Sequence, residues 1–263
     1  MGMRCEAGPA RAPLACRLVL AAHMDDETLG LGAQIAAWTA TGASVHVAFL
    51  TQGEPQDRRF YAAGADIHSY AARRRTEALL AAHALGLPSR NLHFADFPDL
   101  ELSLHLDAAW EWLHRLSGRL RPRFIYAPAY EGGHPDHDAL NLLASHLQAS
   151  STKISAWEYP LYTQCRGRVL YSSFPNRLGP VRILRPEASF RRRKCRALSC
   201  YISQRSTLQY FPMTEEKIRR LPRHDFKRPA VEPTVYELWG WPWRGSEFCA
   251  IWSRFQPADG QLP

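Results

Sequence analysis

Two short segments of this 263-residue chain concentrate side chains that bind metals and transfer protons. The first, Ala22-His-Met-Asp-Asp-Glu27, joins one imidazole to two adjacent carboxylates. Neighbouring side chains on an extended turn point apart, so we expect Asp25 and Asp26 to have different roles, one on a cation and one on a substrate. The simpler alternative is an acidic helix N-terminus stabilised by the helix dipole. That alternative accounts for Asp26 and Glu27 but not for His23.

The second segment, Gly132-Gly-His-Pro-Asp-His137, supplies two more imidazoles. His134 and His137 flank a Pro-Asp pair that fixes the turn between them. Two histidines and one carboxylate from separate loops make a three-ligand site with an open position, which is the pattern of catalytic zinc. A lone histidine would more often be a packed or surface residue, so the prediction of a metal site depends on both segments.

Each segment follows a short apolar run and precedes a helix-like pattern. The runs Leu18–Ala22 and Phe124–Ala127 predict buried parallel strands, and helices are expected at 28–41 and 138–148. Both segments therefore lie at strand ends, where open α/β sheets bind ligands. The patterns predict further strands at 45–50, 92–95, 154–159, 168–172 and 181–184, further helices at 70–85, 104–116 and 186–203, and a polar loop at 51–69.

This order of elements predicts a Rossmann-like α/β fold, a mostly parallel sheet flanked by helices, with an irregular, aromatic-rich C-terminal extension. We expect a single domain over residues 1–263, with a core at 1–160 that carries the metal site and a layer at 161–263 on the substrate side. The segment Tyr236–Trp243 holds three tryptophans. They form either a stacking wall for a ligand or the packing of the C-terminal layer onto the sheet.

The two segments together resemble the paired motifs of the LmbE/PIG-L family of zinc-dependent de-N-acetylases, as Ala22-His-Met-Asp-Asp-Glu27 and His134-Pro-Asp-His137. Met24 stands where the family usually has proline, a position that shapes the turn and bears no ligand. The resemblance implies a hydrolase that removes an acetyl or other acyl group from an amino sugar. The expected substrate is N-acetylglucosamine carried on a larger conjugate.

The resemblance also implies roles for the motif residues. His23, Asp26 and His137 are expected to hold one zinc ion per chain. Asp25 would take a proton from water as general base, and His134 would protonate the departing amine or stabilise the oxyanion.

Three further residues are expected around this centre. Asp136 would accept a hydrogen bond from the other imidazole N–H of His134 and keep that ring oriented and cationic. Arg74 lies in a segment similar to the family's Arg-x-x-Glu and would reach the polar end of the substrate; a surface pair with Glu77 is the alternative. Asp99 matches an aspartate that the family places beside the sugar hydroxyls, although Leu100 and Glu101, which follow it, replace the usual small residue; a helix cap is the alternative.

One position departs from the family's pattern. Some members carry an oxyanion-stabilising tyrosine where this chain has Gly132, and Tyr130 lies two residues further back. Zinc and His134, or a residue of the C-terminal part, would then stabilise the oxyanion. In that part, the basic helix ending Tyr201-Ile-Ser-Gln204 is a further loose match to the family.

Charge and composition leave two alternatives open. The net charge is +8, from 33 basic and 25 acidic residues, and the pI is about 9.4. A basic surface attracts anions or nucleic acid, but a solvated face that keeps the protein in solution explains the excess of basic residues equally well. A basic nucleic-acid-binding protein with a vestigial metal site is therefore one alternative, although no nucleic-acid-binding motif supports it. A zinc amidase acting on a thiol conjugate or another non-sugar amide is the second. The basic residues cluster at 73–75, 191–194, 219–220 and 227–228.

The sequence contains no apolar run near 18 residues, the length that predicts a membrane span. Leu18–Ala22 is too short for the core of a signal peptide. The six cysteines form no CxxC pair and are expected to be free thiols in a reducing compartment. We therefore expect a cytoplasmic protein.

Overall fold

The computed structural model describes residues 15–55 and 67–257. Its central sheet has a parallel part of five strands in the order β3-β2-β1-β4-β5. Strands β2 and β3 lie on one side of β1, and β4 and β5 lie on the other. The direction in which the chain adds strands therefore reverses between β1 and β4. Ligands of open α/β sheets bind at such a reversal. These strands are β1 (Arg17–Ala21), β2 (Val45–Pro55), β3 (Leu92–Asp99), β4 (Phe124–Pro128) and β5 (Ser155–Tyr159).

Helices cover both faces of the sheet. Alternate residues of β1 enter different cores: Leu18 and Leu20 belong to one buried cluster, whereas Val19 and Ala21 belong to the other. This alternation follows from the two-residue period of a strand. The first cluster is covered by α3 (Leu106–Leu120), α4 (Pro135–Ala149) and α8 (Gly245–Trp252), and the second by α1 (Asp26–Ala40), α2 (Ile67–Leu85) and α5 (Ala188–Cys200).

The C-terminal part adds regular structure to the same sheet. β9 (Glu216–Arg220) pairs antiparallel with β5, and β8 (Arg182–Leu184) pairs antiparallel with β9. A separate hairpin is formed by β6 (Tyr162–Cys165) and β7 (Arg168–Tyr171). Two short helices, α6 (Arg205–Leu208) and α7 (Val235–Leu238), complete the described elements.

The predicted mostly parallel α/β fold is confirmed, with two corrections. The C-terminal extension is less irregular than expected, because β8 and β9 continue the sheet. The predicted loop at 51–69 is partly regular, because β2 runs to Pro55 and α2 begins at Ile67; the rest of that prediction, at 56–66, lies outside the described residues.

The structure also bears on the cysteines and on membrane-spanning helices. The five cysteines of the described ranges, at 16, 165, 195, 200 and 249, are all free. Along 15–55 and 67–257, no helix has both the length and the apolar character needed to cross a membrane.

Candidate active site

The first acidic turn connects β1 to α1 and separates its two aspartates. The backbone N–H of His23 donates to Asp26 Oδ2 at 2.8 Å, which folds Asp26 back under the turn. Asp25 has φ 157° and ψ −26°, a combination that residues with a side chain rarely adopt. Its carboxylate lies 3.3 Å from Arg74 Nη2, whereas that of Asp26 lies among histidines. The two carboxylates therefore have different partners, and the different roles expected for them stay a prediction.

Asp26 lies between two imidazoles from the two motif loops. Its Oδ2 is 3.5 Å from Nδ1 of His23, and its Oδ1 is 3.4 Å from Nε2 of His137. Burial opposes ionisation of Asp26, but His137 outweighs it and holds the pKa of Asp26 well below its usual range. In return, the carboxylate overcomes the burial of His137 and raises the pKa of that ring to about 9. An anionic carboxylate with two imidazoles is a donor set that suits zinc.

His137 provides the test of whether a cation fits this site. Within the described part of the chain, neither of its buried ring nitrogens makes a hydrogen bond of good geometry. Buried polar atoms are rarely left without a partner unless an ion or water completes them. The residues present therefore fit a metal ion.

A third imidazole and further carboxylates surround the same centre. Ligand atoms of His23, His134 and His137 lie within 4.8 Å of one another, and those of His23, His134, Asp99 and Asp136 do so as well. The structure thus brings all three motif histidines together.

Glu131 is a site residue that the sequence analysis missed. It is fully buried, and its carboxylate accepts hydrogen bonds from the backbone N–H groups of Leu161 and Tyr162. Its Oε1 lies 3.5 Å from Nδ1 of His137. Burial raises the pKa of Glu131 to about 7, although His137 opposes that rise. The available signal was its position three residues after strand β4 and directly before Gly-Gly-His.

Asp136 does not have the partner that was expected for it. Its carboxylate lies 4.0 Å from His134 Nδ1 and instead accepts hydrogen bonds from the backbone N–H groups of Leu100 and Leu102, at 2.7 and 3.1 Å. Leu100 has a φ of 69°, a left-handed conformation that carries the chain around this carboxylate. Asp136 therefore fixes the loop after β3, and the expected hydrogen-bond acceptor for His134 was wrong.

His134 instead receives a hydrogen bond on Nδ1, from the backbone N–H of Asp136 at 3.2 Å. In a neutral ring the proton then lies on Nε2, which faces Asp99 at 3.6 Å. Burial, and then the neighbouring His23, hold the pKa of His134 well below its ordinary value. Both observations oppose the expected cationic His134.

Asp99 lies inside the centre. It ends β3, and its Oδ1 is 3.0 Å from Nε2 of His23. The helix-cap alternative is wrong, because the N-cap of the short 3-10 helix after β3 is Glu101 and that of α3 is His105. Burial favours the neutral acid, but His23 outweighs it and keeps the pKa of Asp99 low. Asp99 is therefore a buried anion against His23.

Arg74 reaches the centre from α2. Besides its ion pair with Asp25, Nη2 donates to the carbonyl of Met24 at 2.8 Å. The alternative of a surface pair with Glu77 is wrong, because Glu77 pairs with Arg73 and accepts two hydrogen bonds from Ser203. Burial raises the pKa of Asp25 to about 6, and Arg74 opposes part of that rise.

The loosely matched segment 201–204 supports the same loops. The hydroxyl of Tyr201 donates to Glu27 Oε1 at 2.7 Å, and Gln204 donates to the hydroxyl of Tyr70 at 2.7 Å. Glu27, the last residue of the first motif, therefore anchors the C-terminal part to α1.

A pocket of about 230 Å³ opens over this centre. Tyr130 does not enter it; the hydroxyl of Tyr130 donates to the carbonyl of Arg228 at 2.6 Å, so Tyr130 is not the oxyanion donor. Trp239 and Trp241 line the pocket, and Trp241 and Trp243 pack against the core, so the packing alternative is confirmed for two of the three and ligand stacking stays a prediction. The floor is formed by His23, Asp25, Asp26, Arg74, Asp99, His134 and His137, and the outer wall by Tyr162, Tyr171, Gln204, Thr207, Phe211, Trp239 and Trp241.

Residues 18–147, which span both motif loops, match the family described as PIG-L, GlcNAc-PI de-N-acetylase. Among similar solved structures is a teicoplanin deacetylase in a zinc-inhibited form, with a TM-score of 0.59 and 18% identity over 78% of this chain and 98% of that chain. An N,N'-diacetylchitobiose deacetylase from Pyrococcus horikoshii has a TM-score of 0.59 and 20% identity over 79% and 84%. A 4-carboxy-2-hydroxymuconate hydratase from Pseudomonas putida has a TM-score of 0.56 and 20% identity over 75% and 82%.

At these identities the structural likeness establishes the fold, and the hydratase demonstrates that this fold also supports other chemistry. The family match rests on the sequence segment that contributes the turn at 23–27 and the loop at 134–137. It confirms the resemblance drawn from the two motifs. Over residues 18–147, this chain is of the PIG-L (LmbE-like) family.

Proposed function

We propose that this protein hydrolyses the N-acetyl group of an N-acetylglucosamine conjugate and uses one zinc ion. The observation that carries the proposal is the division of the adjacent aspartates: Asp26 lies between His23 and His137, while Asp25 faces Arg74 in the same pocket. One carboxylate is thereby available to a metal and the other to a water molecule. Related proteins named for deacetylation support the choice of an amide substrate.

His23, Asp26 and His137 would hold the zinc. We favour Asp26 over His134 as the third ligand because each of its two oxygens faces one of the other two ligands. Zinc bound there would polarise the amide carbonyl and lower the pKa of water.

Asp25 serves as the proton carrier in this proposal. It takes a proton from the attacking water as the new C–O bond forms, and it passes that proton to the amine as the C–N bond breaks. A carboxyl with a pKa of about 6 is suited to both directions near neutral pH. Arg74 holds Asp25 in place and moderates its pKa.

His134 acts as a neutral hydrogen-bond donor. The backbone N–H of Asp136 occupies its Nδ1, so Nε2 carries the proton that points into the pocket toward Asp99. An N–H donor aimed at the developing oxyanion lowers the barrier to acyl transfer. This supports the oxyanion role over that of a cationic acid.

The nucleic-acid alternative has less support. Two of its basic clusters contain fully buried cations: Lys194 pairs with Glu216, and Arg219 pairs with Glu158. These charges are not available to a phosphate backbone. A zinc amidase for non-sugar amides has the same inner centre and differs only in its substrate.

A panel of N-acyl glucosamine derivatives, assayed for released amine, tests the proposal. We expect turnover of N-acetylglucosaminides that falls by about 10²–10⁴-fold in Asp25→Asn, with metal content unchanged. Asp26→Asn should lose metal, whereas His134→Ala should keep it. The proposal fails if no N-acetylglucosaminide is hydrolysed, or if Asp25→Asn loses the metal while Asp26→Asn stays active. Hydrolysis of non-sugar amides alone would favour the amidase.

A further inference from the structure

Five aromatic rings form a continuous series from the protein surface to His134. We call this series the aromatic arc: Tyr210, Tyr171, Tyr162, Trp239 and Trp241. Ring centroids along it are separated by 5.5, 6.3, 5.6 and 5.6 Å, and Trp241 lies 5.5 Å from the ring of His134. These are distances at which aromatic rings interact. The arc thus leads from solvent to the acyl-binding centre.

Two members of the arc are exposed, Tyr210 at its outer end and Trp239 near its inner end. Tyr210 is 57% exposed and Trp239 is 45% exposed, whereas Trp110 and Trp252 are buried in the core. The exposed surfaces of Tyr210 and Trp239 do not take part in packing the C-terminal layer onto the sheet. Contiguous exposed apolar surface on a soluble protein is characteristic of a ligand or partner site.

The geometry of the exposed rings indicates a flat ligand. Tyr171 and Tyr210 are nearly parallel, with an interplanar angle of 14°, and Tyr162 and Trp239 differ by 30°. Apart from the hydroxyls of Tyr162 and Tyr171, the polar side chains of the outer wall are Gln204 and Thr207, and Gln204 already donates to Tyr70 and Ser203. A second sugar ring requires several hydrogen-bond partners for its hydroxyls, whereas a planar apolar group requires none.

We propose that the arc is a binding site for a planar aromatic aglycone attached to the amino sugar. This inference rests on the proposed function, because it places the acyl amide of the same substrate at the inner end of the arc. The aryl group would stack on the exposed face of Trp239, beyond the sugar, and a longer aromatic group would extend along the arc toward Tyr210. The arc would therefore determine which N-acetylglucosaminides are good substrates.

Three substrates test the proposal: methyl and 4-nitrophenyl N-acetyl-β-glucosaminide, and N,N'-diacetylchitobiose. For the unmodified protein we expect kcat/KM for amine release to be about tenfold higher with the aryl than with the methyl glycoside. Trp239→Ala and Tyr210→Ala should each reduce that ratio, and the double variant should bring it close to one. Trp239→Phe should retain most of the preference. Leu80→Ala removes a comparably exposed apolar side chain from α2 and should leave the ratio unchanged.

Equal kcat/KM for the aryl and methyl glycosides, or a ratio unaffected by the double variant, would overturn the aglycone site. A preference for the chitobiose that Trp239→Ala abolishes would also overturn it, because the arc would then bind a sugar. Calorimetric titration with the two β-glucosaminide products separates this inference from the proposed function. If no substrate releases amine, the proposed function fails, and tighter binding of the aryl than the methyl product, lost in Trp239→Ala, would still support the arc. Equal binding would reject it.

Discussion

The carboxylate of Glu131 lies 3.5 Å from Nδ1 of His137, while Asp26 lies 3.4 Å from Nε2 of the same ring. The two carboxylates hold one imidazole between them, and both are almost fully buried. A carboxylate beyond a metal-binding histidine fixes the orientation of the ring and makes its free nitrogen a better ligand. Glu131 is in turn fixed by the backbone at the start of the β6 hairpin.

Glu131→Gln should therefore weaken metal binding without removing a ligand. We expect the dissociation constant for zinc to rise about 10- to 100-fold, because the amide no longer supports the imidazole as an anion does. Competition with a chromogenic chelator measures this constant. Glu101→Gln, which changes a carboxylate outside the metal centre, is the control. An unchanged constant in Glu131→Gln would show that His137 does not depend on this partner.

Arg74→Gln should move the acid limb of the pH profile. Removal of the cation beside Asp25 disfavours the carboxylate form, so the pKa of Asp25 rises from about 6. Because the base must be deprotonated, kcat/KM should begin to rise only at a higher pH. The profile of Arg73→Gln, whose side chain pairs with Glu77, should match that of the unmodified protein. If the acid limb of Arg74→Gln stayed in place, the ionisation of Asp25 would not be what determines that limb.

His134→Ala should lower kcat by about 10²–10³-fold, the usual cost of an oxyanion donor. Because the structure indicates a neutral ring, we expect the alkaline limb of the pH profile to stay where it is. Measured profiles of kcat/KM against pH distinguish the two roles. Loss of the alkaline limb in His134→Ala would instead identify a cationic acid.

Lys194 and Glu216 form a buried ion pair that also binds backbone groups of helix α1. The Nζ of Lys194 donates to the carbonyl of Leu29 at 2.7 Å and pairs with Glu216 at 2.9 Å; Glu216 in turn accepts from the backbone N–H of Ala33. Lys194→Met leaves a buried carboxylate without its cation and should reduce the free energy of unfolding by about 3–5 kcal/mol.

Urea denaturation measures that loss, and Lys217→Met, in a partly exposed pair with Glu215, should cost no more than about 1 kcal/mol. Combining Lys194→Met with Glu216→Gln should recover part of the stability, since the unpaired charge is removed. A single variant as stable as the unmodified protein would contradict this role.

The clustering of the motif side chains and the parallel core were predictable because their signals are local. His23, Asp26 and His137 occur in short motifs at the ends of apolar runs, and those runs form β1 and β4. Strand β9 was not predictable in this way, because Glu216-Lys-Ile-Arg-Arg220 has a single apolar residue. Buried ion pairs of Glu216 and Arg219 compensate for its charges.

The hydrogen-bond partners of Asp136 and His134 also could not be predicted from the sequence. They depend on the left-handed conformation of Leu100 and on a backbone N–H that points at an imidazole nitrogen. Neither feature leaves a residue pattern, because leucine rarely adopts that conformation. The aromatic arc likewise combines rings from distant parts of the chain, so only the tryptophans could be anticipated.

The most direct test of a zinc-dependent deacetylase is a titration of metal-free protein with zinc, with amine release from an N-acetylglucosaminide as the readout. The proposed function assigns His23, Asp26 and His137 to one zinc ion, so turnover should rise in proportion to added zinc until one equivalent per chain is bound. His23→Ala/His137→Ala should show neither the bound zinc nor the turnover. Full turnover in protein kept metal-free by a chelator would contradict the account.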